Sequence, residues 1–437
     1  MRRVAAVLLG LGLGAGVPGN AGAGAPASGR LAWSYTTAAG YDTYVQRFPL
    51  AGTDTTETVS EFDLTLGAEA RTAGRARQHW WLRPELSAGT ELTRERVDLG
   101  WQYRPDSLAA VLRLDARWQA RQYRGGTRYS LSSDAQGGRL EARANLAPRG
   151  RRALETRLHG SYLRHAEPAT LTLDQNEVGG GLFWKSGQDA QRQFLLGARL
   201  ARRTYPDSTA VDRTIAALEG ELDTAGFSAT GLRAWLHCER RTIRDESARP
   251  SAWASWSSFD WLIPAGPARL SVELQIERWD YDAESSAWFD SWRLGGAVLY
   301  RSGQPGAGTS WLAGLAAERL DADSQASETY SQAGVRVGCE AWGRRLIGSG
   351  TLEVGRRDYT WQADASATDE SNLLGTTLDE FDLYSDFTYW RLALNASWRL
   401  TDRLSLDLAA HCEPESHTEP ADDSTVGFGH ARLAWRW

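Results

Sequence analysis

The chain has 437 residues, with 49 basic against 55 acidic side chains for a formal net charge of −6, and hydrophobic residues make up 42% of it at a mean hydropathy of −0.45. That length excludes a small disulfide scaffold. That hydropathy excludes a bundle of membrane helices, since each span needs roughly 18 or more consecutive apolar residues.

Only the N-terminus approaches such a run. Arg2 and Arg3 precede a short, Gly-broken apolar stretch from Val4 to Val17, and Ala21-Gly22-Ala23 or Ala23-Gly24-Ala25 follows as a small-residue cleavage site. This is the layout of a secretory signal peptide, residues 1–25. An N-terminal anchor helix would need a longer unbroken run. No Cys lies near the cleavage site, which argues against a lipid-anchored protein. Residues 26–437 then form the mature chain.

From about Leu31 onward apolar residues recur with period two over stretches of about ten residues, the spacing that gives a strand one apolar and one polar face. In Leu108–Ala120, Leu112, Leu114, Ala116 and Trp118 share one side, and Arg113, Asp115 and Arg117 the other. Next, Leu140, Ala142 and Ala144 alternate with Arg139, Glu141 and Arg143, and Leu154 and Leu158 with Glu155, Arg157 and His159. Gly179-Gly180-Gly181 falls within a strand pattern, where glycine relieves a close backbone approach. Further on, Leu232, Ala234, Leu236 and Cys238 oppose Arg233, Trp235 and His237, and Leu270, Val272, Leu274 and Ile276 oppose Glu273 and Gln275. Trp390, Leu392 and Leu394 oppose Arg391 and Asn395, and Leu404, Leu406 and Leu408 oppose Ser405, Asp407 and His411. Glu353 and Arg357 fall on one polar face.

Short turns are expected at Pro148-Arg149-Gly150, Ala265-Gly266-Pro267, Gly343-Arg344 and Thr401-Asp402. Longer polar connections are expected at residues 46–57, 245–250, 321–328, 362–377 and 415–423. The division of His79–Arg104 is weakly marked, with a turn near Gly89. Trp and Tyr gather near strand ends, as at Trp118, Tyr123, Trp279, Tyr281, Tyr359 and Trp361, where amphipathic rings would form girdles at the membrane interface. The three cysteines, Cys238, Cys339 and Cys412, are too few and too far apart for a disulfide framework or a zinc site, and each shares its face with apolar residues.

The last strand places Gly429, Ala431, Leu433, Trp435 and Trp437 on one face and His430, Arg432 and Arg436 on the other. Ending on an aromatic residue, it resembles the C-terminal strand that bacterial outer-membrane β-barrel proteins present to their assembly machinery, although Phe is the usual last residue there. The resemblance covers the mature chain as a pattern of strands and turns and the final strand as a motif. It implies an all-β fold, a transmembrane antiparallel up-and-down β-barrel of about 20 strands (range 16–22), in the bacterial outer membrane with lipid and lipopolysaccharide around it. A soluble β-sandwich also alternates, but it buries its apolar faces against each other and does not sustain so many similar hairpins.

Roughly 21 residues per strand and connection leave little chain for a plug, given about 9–11 residues per crossing. No globular segment precedes the first strand, which weighs against receptors built around a plug domain. A porin-like channel for small hydrophilic solutes is the expected function. Its pore-lining candidates are Arg113, Asp115, Arg117, Arg139, Glu141, Arg143, Glu155, Arg157, Arg233, Glu273 and Arg391. These mixed charges predict weak charge selectivity, and they also suit cross-strand ion pairs that only stabilise the wall.

Two other classes stay open. A barrel enzyme would draw on the segment from His411 to His417, where His411, Glu413, Glu415 and His417 share a face if Pro414 does not interrupt the strand. A scaffold or anchor would use loops such as 362–377 and the acidic run Asp379, Glu380 and Asp382. The sequence carries no recognisable catalytic signature, nucleotide fingerprint or nucleic-acid-binding patch, and it calls for no cofactor or metal.

Overall fold

The computed structural model describes residues 31–50, 53–72, 77–105, 110–123, 134–146, 152–166, 173–186, 193–224, 230–283, 288–303, 308–322, 329–360, 386–418 and 423–437. The proposed signal peptide, Pro148-Arg149-Gly150, Trp361, most of loop 321–328, all of loop 362–377, the acidic run 379–382 and part of loop 415–423 lie outside them.

Twenty strands follow one another: β1 (Leu31–Leu50), β2 (Thr53–Thr72), β3 (Gln78–Gly89), β4 (Leu92–Tyr103), β5 (Ala110–Tyr123), β6 (Ala135–Leu146), β7 (Arg152–His165), β8 (Gln175–Ser186), β9 (Gln193–Thr204), β10 (Arg213–Asp223), β11 (Gly231–Ile243), β12 (Ala252–Ala265), β13 (Ala268–Tyr281), β14 (Ser291–Arg301), β15 (Gly308–Ala322), β16 (Tyr330–Trp342), β17 (Leu346–Tyr359), β18 (Phe387–Arg399), β19 (Leu404–His417) and β20 (Ser424–Arg436). One 3-10 turn, Thr209–Val211, interrupts the connection between β9 and β10.

Every strand pairs antiparallel with its chain neighbours, and β20 returns to β1 from Thr36↔Arg436 to Arg47↔Thr425. The Trp437 backbone N–H extends this seam by donating to the Tyr35 carbonyl at 2.9 Å. Closure pairs every strand on both sides around the ring, with only the β1–β2 hairpin extending past its outer neighbours, and this is what permits a sheet to sit in hydrocarbon.

The register sorts the two faces. Opposed residues of an antiparallel pair share a face, so Leu315 stands between Val298 and Val335, and Leu218 between Ala198 and Cys238. Along this side Leu158, Val178 and Leu315 are 58%, 64% and 65% exposed, an apolar surface that water would not tolerate over a whole barrel. The other face is concave. There, side chains two or three strands apart meet: Arg336 of β16 reaches Glu273 of β13, and Gln332 of β16 donates to the Tyr389 hydroxyl of β18 at 2.7 Å. The apolar face therefore points to lipid and the charged face to the interior.

No central hydrophobic core exists among the described residues. The buried apolar cluster is a small inner-wall patch of Ala297, Leu299 and Leu312 with Ala316. The three cysteines are unpaired, and all point outward, beside Leu218 and Ser255, Trp311 and Gly350, and Leu392 and Gly427 respectively.

Three sequence expectations need correction, while the turn expected near Gly89 is found directly after it. Residues 46–50 and 53–57, expected in a long loop, belong to β1 and β2, which pair Gln46↔Glu57 and on to Leu50↔Thr53. Polar Thr-rich sequence is compatible with a two-stranded extension whose outer edges face water, beyond the last β20 partner of β1 at Arg47 and the first β3 partner of β2 at Asp63. His79–Arg104 divides cleanly at Thr90-Glu91, and the Thr90 N–H is held by the Phe62 carbonyl at 3.0 Å. Pro414 does not end β19. Pairing with β18 lapses beside it, between Leu392↔Cys412 and Tyr389↔Glu415, while pairing with β20 continues through Pro414↔Thr425. A residue without an N–H needs a partner on only one side.

The aromatic girdles are also built from different residues than their closeness to strand ends suggests. Of those named from sequence, Trp118 faces outward, whereas Tyr123, Trp279, Tyr281 and Tyr359 face inward. The outer ring at the short-turn end includes Trp80, Trp101, Trp184, Trp261, Tyr300, Trp311, Trp398 and Trp435. Tyr162, Trp253 and Trp292 mark the opposite end. Strand parity, not nearness to a turn, decides which rings meet lipid.

Candidate pore wall

All eleven residues proposed from sequence as pore lining stand on the inner face. The structure shows how they are held. Arg113 donates to Asp115 through Nε at 2.6 Å and Nη2 at 3.0 Å. Arg117 reaches across to Asp98 of β4 at 2.6 Å, and Arg96 approaches the same carboxylate at 2.7 Å. Glu141 accepts from Arg139 at 3.0 Å and from Arg143. Glu155 is shared by Arg157 and Lys185. Arg233 lies between Asp223 and Asp260, at 3.6 and 3.8 Å. Glu273 lies between Arg301 and Arg336, at 2.8 and 3.4 Å. Arg391 pairs with Glu413.

A construction rule emerges. Most of the ion pairs join residues two apart on one strand or on adjacent strands, with Arg336–Glu273 reaching across three strands, and several carboxylates serve two cations each. The acid sits deep and the base reaches out: Glu141 is 12% exposed and Arg139 60%. A short carboxylate near the wall orients long guanidinium stems that extend into the lumen. Glu353 and Arg357 share the inner face, as expected, and bind different partners. Glu353 accepts from Arg336 at 2.7 Å and from the Tyr389 hydroxyl at 2.8 Å, while Arg357 donates to Gln332.

Sequence reading missed Arg96, Asp98, Glu177, Lys185 and Arg203 as members of this wall. For Arg96 and Asp98 the signal was available, since they alternate with Val97 and Leu99 once the turn at Thr90-Glu91 is placed. Glu177 accepts from Arg203 at 2.7 Å and contacts His159 at 2.9 Å. Pairs such as these span separate strands and have no local sequence mark.

Glycine allows large inner-wall side chains to lie flat. A Cβ on Gly100 would stand 1.8 Å from the Trp81 ring, and one on Gly197 2.1 Å from Phe183. Gly179 and Gly181 likewise lie beneath His159 and Phe183, each 2.7 Å from where a Cβ would be, the close approach expected of the triple-glycine run. Trp81 and Phe183 in turn support guanidinium groups, Arg113 at 5.1 Å and Arg157 at 4.1 Å from the ring centroids.

A second sector is aromatic. Trp235, His237, Trp256, Trp279 and Tyr281 face inward and touch in sequence, and Trp288 adds to Tyr281, with centroids 5.3 to 6.0 Å apart at every step. Arg241 lies over both Trp256 and Trp279, and Arg249 over Trp288. These ring faces are occupied by one another and by guanidinium groups, which makes this sector a stiffened wall.

The segment from His411 to His417 does place His411, Glu413, Glu415 and His417 on the inner face. It does not bring them together. Glu413 is taken by Arg391 and lies 3.3 Å from His411, while His417 packs on the Phe387 ring at 4.8 Å beside Glu415. Among the described residues no group of three His, Cys, Asp or Glu side chains is close enough to hold a metal ion.

No protein-family model matches the chain, and no curated protein matches its sequence. Solved structures do resemble it. The copper transporter OprC superimposes with a TM-score of 0.53 over 95% of this chain and 81% of that one, at 10% identity. The ferric citrate transporter FecA in its unliganded form gives 0.51 over 93% and 78%, at 9% identity. OccAB4 from Acinetobacter baumannii gives 0.48 over 92% and 98%, at 8% identity. The likeness to the first two is one of fold, and the fold is that of a bacterial outer-membrane β-barrel.

Proposed function

We propose that the protein is a porin-like channel that lets small hydrophilic solutes cross the outer membrane by diffusion, with no chemistry of its own. One observation carries the reading: a closed 20-stranded barrel bears ion-paired, partly exposed charges over much of its inner face. Barrels of 16–18 strands already leave an aqueous channel, because circumference outgrows the reach of side chains. Charges of this kind need water around them, since the ion pairs leave many guanidinium donors without a protein acceptor.

The C-terminal strand, with Leu433, Trp435 and Trp437, would carry the contact with the assembly machinery, and lipopolysaccharide would surround the long-loop end. Single-channel recording of the purified, refolded barrel in planar bilayers tests the channel. Stepwise conductance that scales with salt concentration is expected. A correctly folded barrel that inserts and passes no current would overturn it.

A further inference from the structure

On the inner wall of β3 to β6 the charges do not balance. A groove of about 340 Å³ there is bordered by six arginines, Arg83, Arg96, Arg113, Arg117, Arg139 and Arg143. The same groove has three carboxylates, Asp98, Asp115 and Glu141. Six arginines bring about thirty N–H donors against about twelve carboxylate lone-pair sites. Arg83 also donates to Glu69 of β2 at 3.2 Å, and with that carboxylate counted close to half of the donors are still left for water or for something else.

The register sharpens the point. Arg117 stands directly opposite Arg139, and Arg113 directly opposite Arg143, which in turn faces Arg157. Asp115 faces Glu141 between these two rows. Like charges in directly opposed positions destabilise a sheet, and a simple exchange of residues along one strand would put opposite charges there. The ion pairs that stabilise this wall run along a strand or to β4, and they do not by themselves call for like charges across β5 and β6. The arrangement produces two cationic rows flanking one deeper anionic row, Asp115 at 29% and Glu141 at 12% side-chain exposure, with the more exposed arginine ends toward the lumen. The Arg96 Nε–H is buried without a hydrogen-bond partner. A second groove of about 200 Å³ shares Arg139, Glu141 and Arg143 and continues past Arg157 toward Arg199.

We infer that this sector is a binding track for polyvalent oxyanions, solutes carrying two or more phosphate or carboxylate groups, which bridge the Arg117–Arg139 and Arg113–Arg143–Arg157 rows. The planar fork of each guanidinium suits such groups in bidentate contact. An anion between opposed arginines relieves their repulsion, and a row-to-row path lets it move without full rehydration. The inference rests on the channel reading for its use in transport, but the binding site itself does not.

Inorganic pyrophosphate is a suitable probe. Titration calorimetry of the full-length barrel in zwitterionic detergent at low ionic strength is expected to show saturable binding, with chloride failing to compete at equal concentration. The pair R139Q/R143Q should weaken it about tenfold or more, the loss of charge-assisted hydrogen bonds from both rows. Because that pair leaves Glu141 without its two partners, R117Q serves as a second variant. It leaves Asp98 paired with Arg96 and should weaken binding by about threefold or more. In bilayers, pyrophosphate should reduce the current of the native channel and not that of R139Q/R143Q. Absence of saturable binding, or equal affinity in folded variants, overturns the track even when the pore conducts. Binding that is lost in the variants from a barrel that passes no current leaves the track standing and overturns the channel.

Discussion

The assignment of the two faces rests on parity, and one pair of substitutions tests it. Leu315 lies at the middle of β15, between Val298 and Val335, and is 65% exposed on the outer face. Gln275 lies at the middle of β13, opposite Ser258 and Gly295 on the inner face. Both become arginine. At the bilayer midplane an arginine on the lipid face costs about 2–4 kcal/mol, because a guanidinium in hydrocarbon finds neither water nor a partner. That is roughly a 30- to 700-fold loss in the folding equilibrium. Gln275→Arg adds a charge to a wetted wall that already holds many, so a change within about 0.5 kcal/mol is expected. Equilibrium urea unfolding in phospholipid vesicles, followed by tryptophan fluorescence and heat-modifiable gel mobility, reads both. Equal effects of the two, or a larger effect of Gln275→Arg, would refute the assignment of inside and outside.

Four further outcomes are expected. Cys238, Cys339 and Cys412 should react with a membrane-partitioning maleimide and not with a charged one in vesicles, and mass spectrometry without reductant should find no disulfide. Reversing Arg113 and Arg117 to Glu should move the reversal potential in a salt gradient toward cations; an unchanged value would place these side chains away from the ion path. Tyr389→Phe removes the hydroxyl that joins Gln332 to the buried Glu353 and should cost about 1–3 kcal/mol in urea unfolding, whereas the exposed Tyr44→Phe should cost less than about 0.5 kcal/mol. Gly100→Ala should destabilise by about 1–3 kcal/mol, since the Trp81 ring must leave its seat and the Arg113 contact with it.

Much of this barrel is determined by the sequence alone. Alternation such as Leu112, Leu114 and Ala116 against Arg113, Asp115 and Arg117 fixes which side chains face lipid and which face the interior, because a strand has a period of two and lipid accepts no charge. The same rule predicts the outward direction of the cysteines and the inward direction of His411, Glu413, Glu415 and His417. Where an end signal is weak, local reading fails. Residues 46–50 and 53–57 look like parts of a polar loop yet form strand, since pairing of β1 with β2 outweighs the polar character of the segment. Tyr123, Trp279, Tyr281 and Tyr359 lie near strand ends yet turn inward. What only the tertiary structure decides is which strand residue stands beside which. Shear between neighbours sets Asp98 against Arg117, Glu353 against Arg336 and Arg143 against Arg157. Alternation is a property of each strand by itself and is written in the chain. The rows of like charge are a property of how far each strand slides past the next, and that offset is settled by closure of all twenty strands together.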